Sequence, residues 1–76
     1  MRFLVTGGAG FIGRWVIANL LEEHQVLTLD NLSNGTKNNL SEFMDHRNFK
    51  GLKIGDVKEA TDIKNAFKFK PDTVIQ

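Results

Sequence analysis

The stretch Thr6-Gly7-Gly8-Ala9-Gly10-Phe11-Ile12-Gly13 constrains this chain more than any other, because it joins an apolar run to a helical pattern. Before it, residues 2–6 (Arg-Phe-Leu-Val-Thr) are short, apolar and β-prone, as a buried parallel strand requires. After it, residues 11–23 carry Phe11, Ile12, Trp15, Val16, Ala18, Leu20 and Leu21. Ile12, Val16 and Leu20 share one i, i+4, i+8 row, so a largely buried helix is expected. Gly8, Gly10 and Gly13 fit G-x-G-x-x-G, and Gly7, Gly10 and Gly13 fit G-x-x-G-x-x-G. Glycines at such a junction allow a tight turn at positive φ, approach of backbone to a pyrophosphate, and close packing of helix on strand. An anion there meets unpaired N–H groups and the positive end of the helix dipole. The bland alternative is a glycine-rich turn that binds nothing.

The rest of the chain alternates strand and helix, with no repeat, low-complexity tract or linker. Residues 25–30 (Gln-Val-Leu-Thr-Leu-Asp) read as a second strand ending on an acid, and a polar loop runs from Asn31 to Asn39. A short helix is expected over 37–46, with Leu40, Phe43 and Met44 as its apolar face. Residues 51–55 read as a third, glycine-bounded strand. A third helix over 58–69 carries Ala60, Ile63, Ala66 and Phe67 on one side and lysines on the other, and Pro71 stops it. Thr73-Val74-Ile75-Gln76 begins a fourth strand. Trp15 and the six phenylalanines are assigned to the core.

This order implies an α/β fold with a parallel sheet. Right-handed crossovers put the first two helices on one face; for strand 4 to sit on the free side of strand 1 the third helix crosses on the other, giving strand order 3-2-1-4. The direction of the chain reverses between strands 1 and 4. A crevice opens there at their C-terminal ends, where open α/β sheets bind ligands.

Asp30 sharpens the reading. It lies twenty residues after Gly10, the spacing of a carboxylate that grips a ribose 2′-hydroxyl. Such a carboxylate accepts hydrogen bonds from the free hydroxyl but repels a 2′-phosphate, which favours NAD over NADP. Otherwise Asp30 is a solvent-facing strand end. Arg14, the cation beside the loop, either reaches a phosphate or decorates the first helical turn.

Composition removes other classes. Of 76 residues, 41% are hydrophobic and 25% charged, ordinary globular usage. A chain this short buries only about 60–65% of its unfolded surface, so its stability is marginal. There is no cysteine, hence no disulfide framework or thiolate metal site. No apolar run is long enough to span a membrane, and the segment before Gly7 is too short for a signal peptide, so a reducing, cytoplasmic setting is expected. Residues 1–45 hold three cations against five acids and residues 46–76 seven against four. Without interleaved aromatics, that basic half reads as a solvated face rather than a nucleic-acid surface. His24 and His46 lack partners at metal spacing, and no nucleophile–base pair is visible.

Four places in the chain carry a family resemblance. Thr6 to Gly13 resembles the signature of extended short-chain dehydrogenase/reductases, above all the NAD-dependent sugar-nucleotide epimerases and dehydratases of the UDP-glucose 4-epimerase type. Asp30-Asn31-Leu32-Ser33-Asn34-Gly35 is similar to that group's stretch around the adenosine ribose. Asp56-Val57 resembles the pair after strand 3 that faces adenine, and Pro71 to Ile75 resembles the lead into strand 4. The resemblance implies a partial Rossmann fold: one truncated NAD(P)-binding domain over residues 1–76, with the substrate domain absent. By the same resemblance, Gly7, Gly10 and Gly13 shape the diphosphate turn, and Phe11 and Ile12 supply N–H groups to the phosphates. Asp30 holds the ribose, flanked by Asn31, Ser33, Asn34 and Gly35, while Asp56 and Val57 hold adenine. Asn34-Gly35 is also an ordinary turn dipeptide, and Asp56 is also a plausible cap for the third helix.

The departures matter as much. Such enzymes use a Tyr-x-x-x-Lys pair, and this chain contains no tyrosine. Gln76 stands where the family often has histidine at the end of strand 4. Two functions remain open: the NAD- or ADP-ribose-binding start of an epimerase or dehydratase, or a small binding or interaction module that lacks catalysis. In either case one sheet face is half covered and strand 4 is an open edge, so self-association is expected.

Overall fold

The computed structural model describes residues 1–33 and 35–76. Along these residues run β1 (Arg2–Thr6), α1 (Phe11–Leu20), β2 (Gln25–Asp30), a 3₁₀ helix (Lys37–Phe43), β3 (Phe49–Ile54), α2 (Ala60–Phe67) and β4 (Thr73–Ile75). The strands form one parallel sheet in the order β3-β2-β1-β4, as the alternation predicts. Leu4 of β1 lies beside Leu27 of β2 and Val74 of β4. No described helix is long and apolar enough to cross a membrane.

Successive residues of a strand point to opposite faces, and the sheet uses this to build two cores. On one face Val5 and Val26 pack with Ile17, Leu21, Leu40, Phe43 and Phe49, beneath α1 and the 3₁₀ helix. On the other, Leu4, Leu27 and Leu29 meet Ala66 of α2, with Ile63 and Phe69 at the margin. Leu4, Val5, Val26 and Leu29 are at most 1% exposed, and each such burial contributes roughly 1.5–3 kcal/mol. The α2 face is the thinner: beside that helix an open groove of about 680 Å³ runs over Leu27, Leu29 and Leu52.

The start of β1 is tied to the α2–β4 turn. The Arg2 N–H donates to Asp72 Oδ2 at 2.8 Å, its guanidinium donates to the Phe69 carbonyl at 3.0 Å, and the same group lies 5.1 Å from the centre of the Phe69 ring. Between Phe69 and Asp72 the chain passes through Lys70 at φ 57°, so the helix ends before Pro71 as the sequence predicts.

The helices are shorter than their patterns suggest. α1 ends at Leu20 rather than 23 because Glu22 and Glu23 oppose the negative end of its dipole. Residues 37–43 form 3₁₀ rather than α structure. Asn38, Asn39 and Ser41 favour side-chain bonds over helical ones, and the Asn39 N–H already bonds the Thr36 carbonyl three residues back. β3 starts two residues earlier than expected, at Phe49, so Gly51 lies inside the strand, next to a register irregularity between Phe49 and Gly51 opposite Val26 and Leu27.

The expected core also needs correction. Phe43 and Phe49 are buried, and their rings lie 6.2 Å apart. Phe3 and Phe69 are half-buried, whereas Phe11, Trp15 and Phe67 are exposed, Trp15 by 65%. The stripe of α1 that meets the sheet runs through Gly13, Val16, Ile17 and Leu20, and Ile12 lies outside it. Gly13 is the physical reason: without a side chain it lets the helix rest on its backbone, which turns Ile17 inward and Trp15 outward.

Replacing Ile17 with Ala is therefore expected to cost roughly 2–5 kcal/mol, while Trp15→Gln shifts stability by no more than about 0.5 kcal/mol. Urea unfolding of the two variants measures both, and a large loss at Trp15 would return its ring to the core.

Candidate functional site

β1 ends at Thr6, and the chain turns at once through Gly7, whose φ of +73° is left-handed and suits glycine alone without strain. The Gly10 N–H closes the turn on the Gly7 carbonyl at 3.2 Å, and α1 begins at Phe11. Gly13, one turn into the helix, faces this loop. A Cβ there would collide with the Gly7 carbonyl oxygen and lie 2.7 Å from Gly8 Cα. The third glycine of the pattern thus does what the sequence predicts, packing helix against strand end. Gly10, the N-cap residue, has no side chain to cap the helix, so the first-turn N–H groups of α1 receive no side-chain cap.

Asp30 closes the other side. Far from facing solvent, it is 8% exposed and uses both carboxylate oxygens. Oδ2 accepts from the Ala9 N–H at 2.8 Å, and Oδ1 accepts from the Leu32 N–H at 2.8 Å. The acid at the end of β2 therefore grips the glycine loop directly. Each carboxylate oxygen can accept a second hydrogen bond, so a ligand hydroxyl has acceptors left. Beyond it, Asn31 Oδ1 accepts from the Ser33 N–H at 2.9 Å, which turns the polar loop.

Asp56 follows β3. Its carboxylate accepts from the Lys58 N–H at 2.9 Å, and its own N–H donates to Asp62 Oδ2 at 2.9 Å. The N-cap of α2 is Glu59, with no side-chain cap bond, so Asp56 shapes the turn ahead of the helix and does not cap it. The capping expectation is overturned because the helix starts later than the sequence suggests.

These segments enclose a cleft of about 340 Å³ at the C-terminal ends of β1, β2 and β3. Of the sequence-predicted residues, Gly7, Gly10, Asp30, Asn31, Ser33, Asp56 and Val57 line it, together with Thr6, Leu29 and Gly55. Phe11 lies outside it, and Ile12 and Gly13 line a smaller hollow with Ile75 and Gln76. Gly35 packs against the Ala9 backbone, and Asn34 lies outside the described residues. Arg14 points away from the cleft and pairs with Glu42 at 2.6 Å.

The sequence reading missed three contributors. Thr28 is fully buried; its hydroxyl donates to the Val5 carbonyl at 2.6 Å, and it lies directly under Gly8. Its signal was a lone hydroxyl inside an apolar strand. Ala9 is held through its backbone, which no side-chain pattern reports. Asn39 donates from Nδ2 to the Ala9 carbonyl at 2.7 Å across thirty residues of chain, a contact with no local signature.

Comparison with known proteins agrees with this geometry. The UDP-glucose 4-epimerase of Mycolicibacterium smegmatis is 39% identical over 75 residues, spanning 97% of this chain and 24% of that protein. The X-ray structure of Pal from Bacillus thuringiensis superposes with a TM-score of 0.83 at 48% identity, over 90% of this chain and 22% of that one. The UDP-glucose 4-epimerase of Thermus thermophilus, solved in complex with NAD, gives a TM-score of 0.82 at 36% identity, over 97% of this chain and 22% of that one. The chain thus spans under a quarter of each of these relatives. The family model for the NAD dependent epimerase/dehydratase family matches residues 3–76, which take in the glycine turn, Asp30 and all four strands save Arg2, and the chain belongs to that family.

Proposed function

We propose that this chain binds NAD by its adenosine and diphosphate, as the N-terminal segment of a sugar-nucleotide epimerase or dehydratase. The observation that carries the reading is the cleft at the C-terminal ends of β1, β2 and β3. It gathers the glycine turn, a buried acid with spare acceptor capacity and the Asp56-Val57 pair on one surface.

Each part has work that its chemistry suits. The uncapped first turn of α1, at Phe11 and Ile12, offers N–H donors and a positive dipole end to a diphosphate. Gly7 and Gly10 bring backbone to the rim of the cleft, where a side chain would hold the diphosphate off. Asp30 accepts from the ribose hydroxyls on the lone pairs that Ala9 and Leu32 leave free. Asp56 accepts from the adenine amino group, with Val57 against the ring. Asn31 and Ser33 flank the ribose. Among the charged side chains lining this cleft are two carboxylates and no cation, a poor setting for a 2′-phosphate.

When bound, NAD supplies transient hydride acceptance in this family. Residues of this chain hold its adenosine end. The chain has no tyrosine to act as acid and base. β4 is an edge strand with Val74 40% exposed, and the α2 face is half open, so the isolated chain associates with itself through one of these surfaces.

Calorimetric titration tests the reading: ADP-ribose is expected to bind nearly as tightly as NAD, and NADP more weakly. Asp30→Ala should lower NAD affinity by roughly 1–2 kcal/mol, with a lower melting temperature because the Ala9 N–H loses its buried acceptor. NADP binding more tightly than NAD would overturn the role of Asp30.

The pure chain should convert no sugar nucleotide, and sedimentation velocity should show its weight-average mass rising with concentration. Turnover, or a strict monomer at every concentration, would contradict the corresponding part of the proposal.

A further inference from the structure

The Ala9–Gly10 peptide is held from every side. Ala9 is fully buried, and its N–H donates to Asp30 Oδ2. Its carbonyl accepts from Asn39 Nδ2 at 2.7 Å. Gly35 lies flat against the same group, so closely that a Cβ would collide with the Ala9 carbonyl and stand 2.7 Å from the Gly10 nitrogen. The Gly10 N–H is engaged by the Gly7 carbonyl. Every polar group of this peptide is therefore satisfied within the protein.

This peptide sets the aim of the helix start. Gly10 is the N-cap, with φ −80° and ψ 173°, and rotation of the peptide before it redirects the Phe11 and Ile12 N–H groups. Donors aimed in advance bind more tightly, because the ligand need not order them. The Gly7 carbonyl holds its Gly10 N–H, Gly35 covers one face, and Asp30 holds the preceding peptide through the Ala9 N–H. Asn39 is the side chain that holds the Ala9 carbonyl, and it comes from a different element, the 3₁₀ helix.

We infer that Asn39 is a positioning residue for anion binding: its amide locks the Ala9 carbonyl, and so orients the N–H groups at the start of α1 toward a diphosphate. This deepens the NAD-binding reading and rests on it. Asn39 touches no ligand. Its effect falls on the diphosphate half of a nucleotide and not on adenosine, which distinguishes it from a side chain that only anchors the 3₁₀ helix.

The test uses the whole chain, with ADP and adenosine as probes. Asn39→Ala and Asn39→Asp are expected to weaken ADP about tenfold, the scale of one hydrogen bond, while adenosine affinity stays within about twofold. Glu42→Ala, which breaks the neighbouring ion pair and leaves Ala9 untouched, should not change either ligand. Without ligand, the amide NMR signals of Gly10, Phe11 and Ile12 should shift and exchange faster in the Asn39 variants, with those of β1 and β2 unchanged. Should both variants fail to fold, the wild-type chain decides: the Asn39 side-chain amide signals should move on adding ADP and stay still with adenosine. Parallel losses of ADP and adenosine, an unchanged ADP affinity, equal damage from Glu42→Ala, or a silent Asn39 amide would each overturn the inference. Wild-type chain that binds neither ADP nor NAD would instead sink the NAD reading, and the ligand-free amide signals would still judge the lock.

Discussion

The contact on which the rest of the molecule depends is one of backbone against backbone, between Gly13 in α1 and the Gly7–Gly8 peptide at the end of β1. Side chains normally hold a helix several ångströms off a strand. Here none intervenes, so the helix start sits directly over the strand end. From this follow the inward turn of Ile17, the outward turn of Trp15, and an N-terminus aimed at the rim of the sheet. Any Cβ at Gly13 lifts the helix, and the two-faced core and the cleft move with it.

Asp30 couples that local arrangement to the sheet. A buried carboxylate is costly unless its charge is met by donors, and two backbone N–H groups meet it, one from the glycine loop and one from the chain just beyond β2. The acid has a structural duty. It holds the loop in place and also lines the cleft, so loop order and the shape of the cleft are linked through a single side chain. With Thr28 under Gly8 and Asn39 on the Ala9 carbonyl, the loop is held by three polar side chains from two different segments.

The two faces of the sheet differ in kind. One carries α1 and the 3₁₀ helix over a continuous apolar cluster. The other carries α2 alone, with Ala66 as its buried residue and an open groove alongside. Strands apolar on both sides are built for two complete layers. Val74 at the edge, and Ile54 at 63% exposure at the end of β3, mark where cover is thin. The cleft lies at the ends of the two central strands, β1 and β2, and reaches the end of β3 where that cover thins.

Local chemistry alone determined a good deal of this protein. Short β-prone apolar runs, the first closed by glycines and the second by an acid, specify the two central strands, because a parallel strand buried on both faces is built of such runs. The glycine spacing and the acid twenty residues on specify the turn and its partner, since Gly7 answers a positive φ and Gly13 a backbone contact, both demands that exist at short range. Alternation and crossover handedness, with strand 4 on the free side of strand 1, give the order 3-2-1-4, and the sheet has it. Only the tertiary structure decided which face of α1 is buried, because Gly13 sets the roll of the helix and a periodic pattern cannot weigh a missing side chain. It alone decided that Asp56 shapes a turn instead of capping α2, that Asp30 is buried and grips Ala9, and that Asn39 reaches that same residue across thirty positions. Those contacts arise between segments distant in sequence, and hydrogen bonds to backbone carbonyls and N–H groups leave no mark on the residue that receives them.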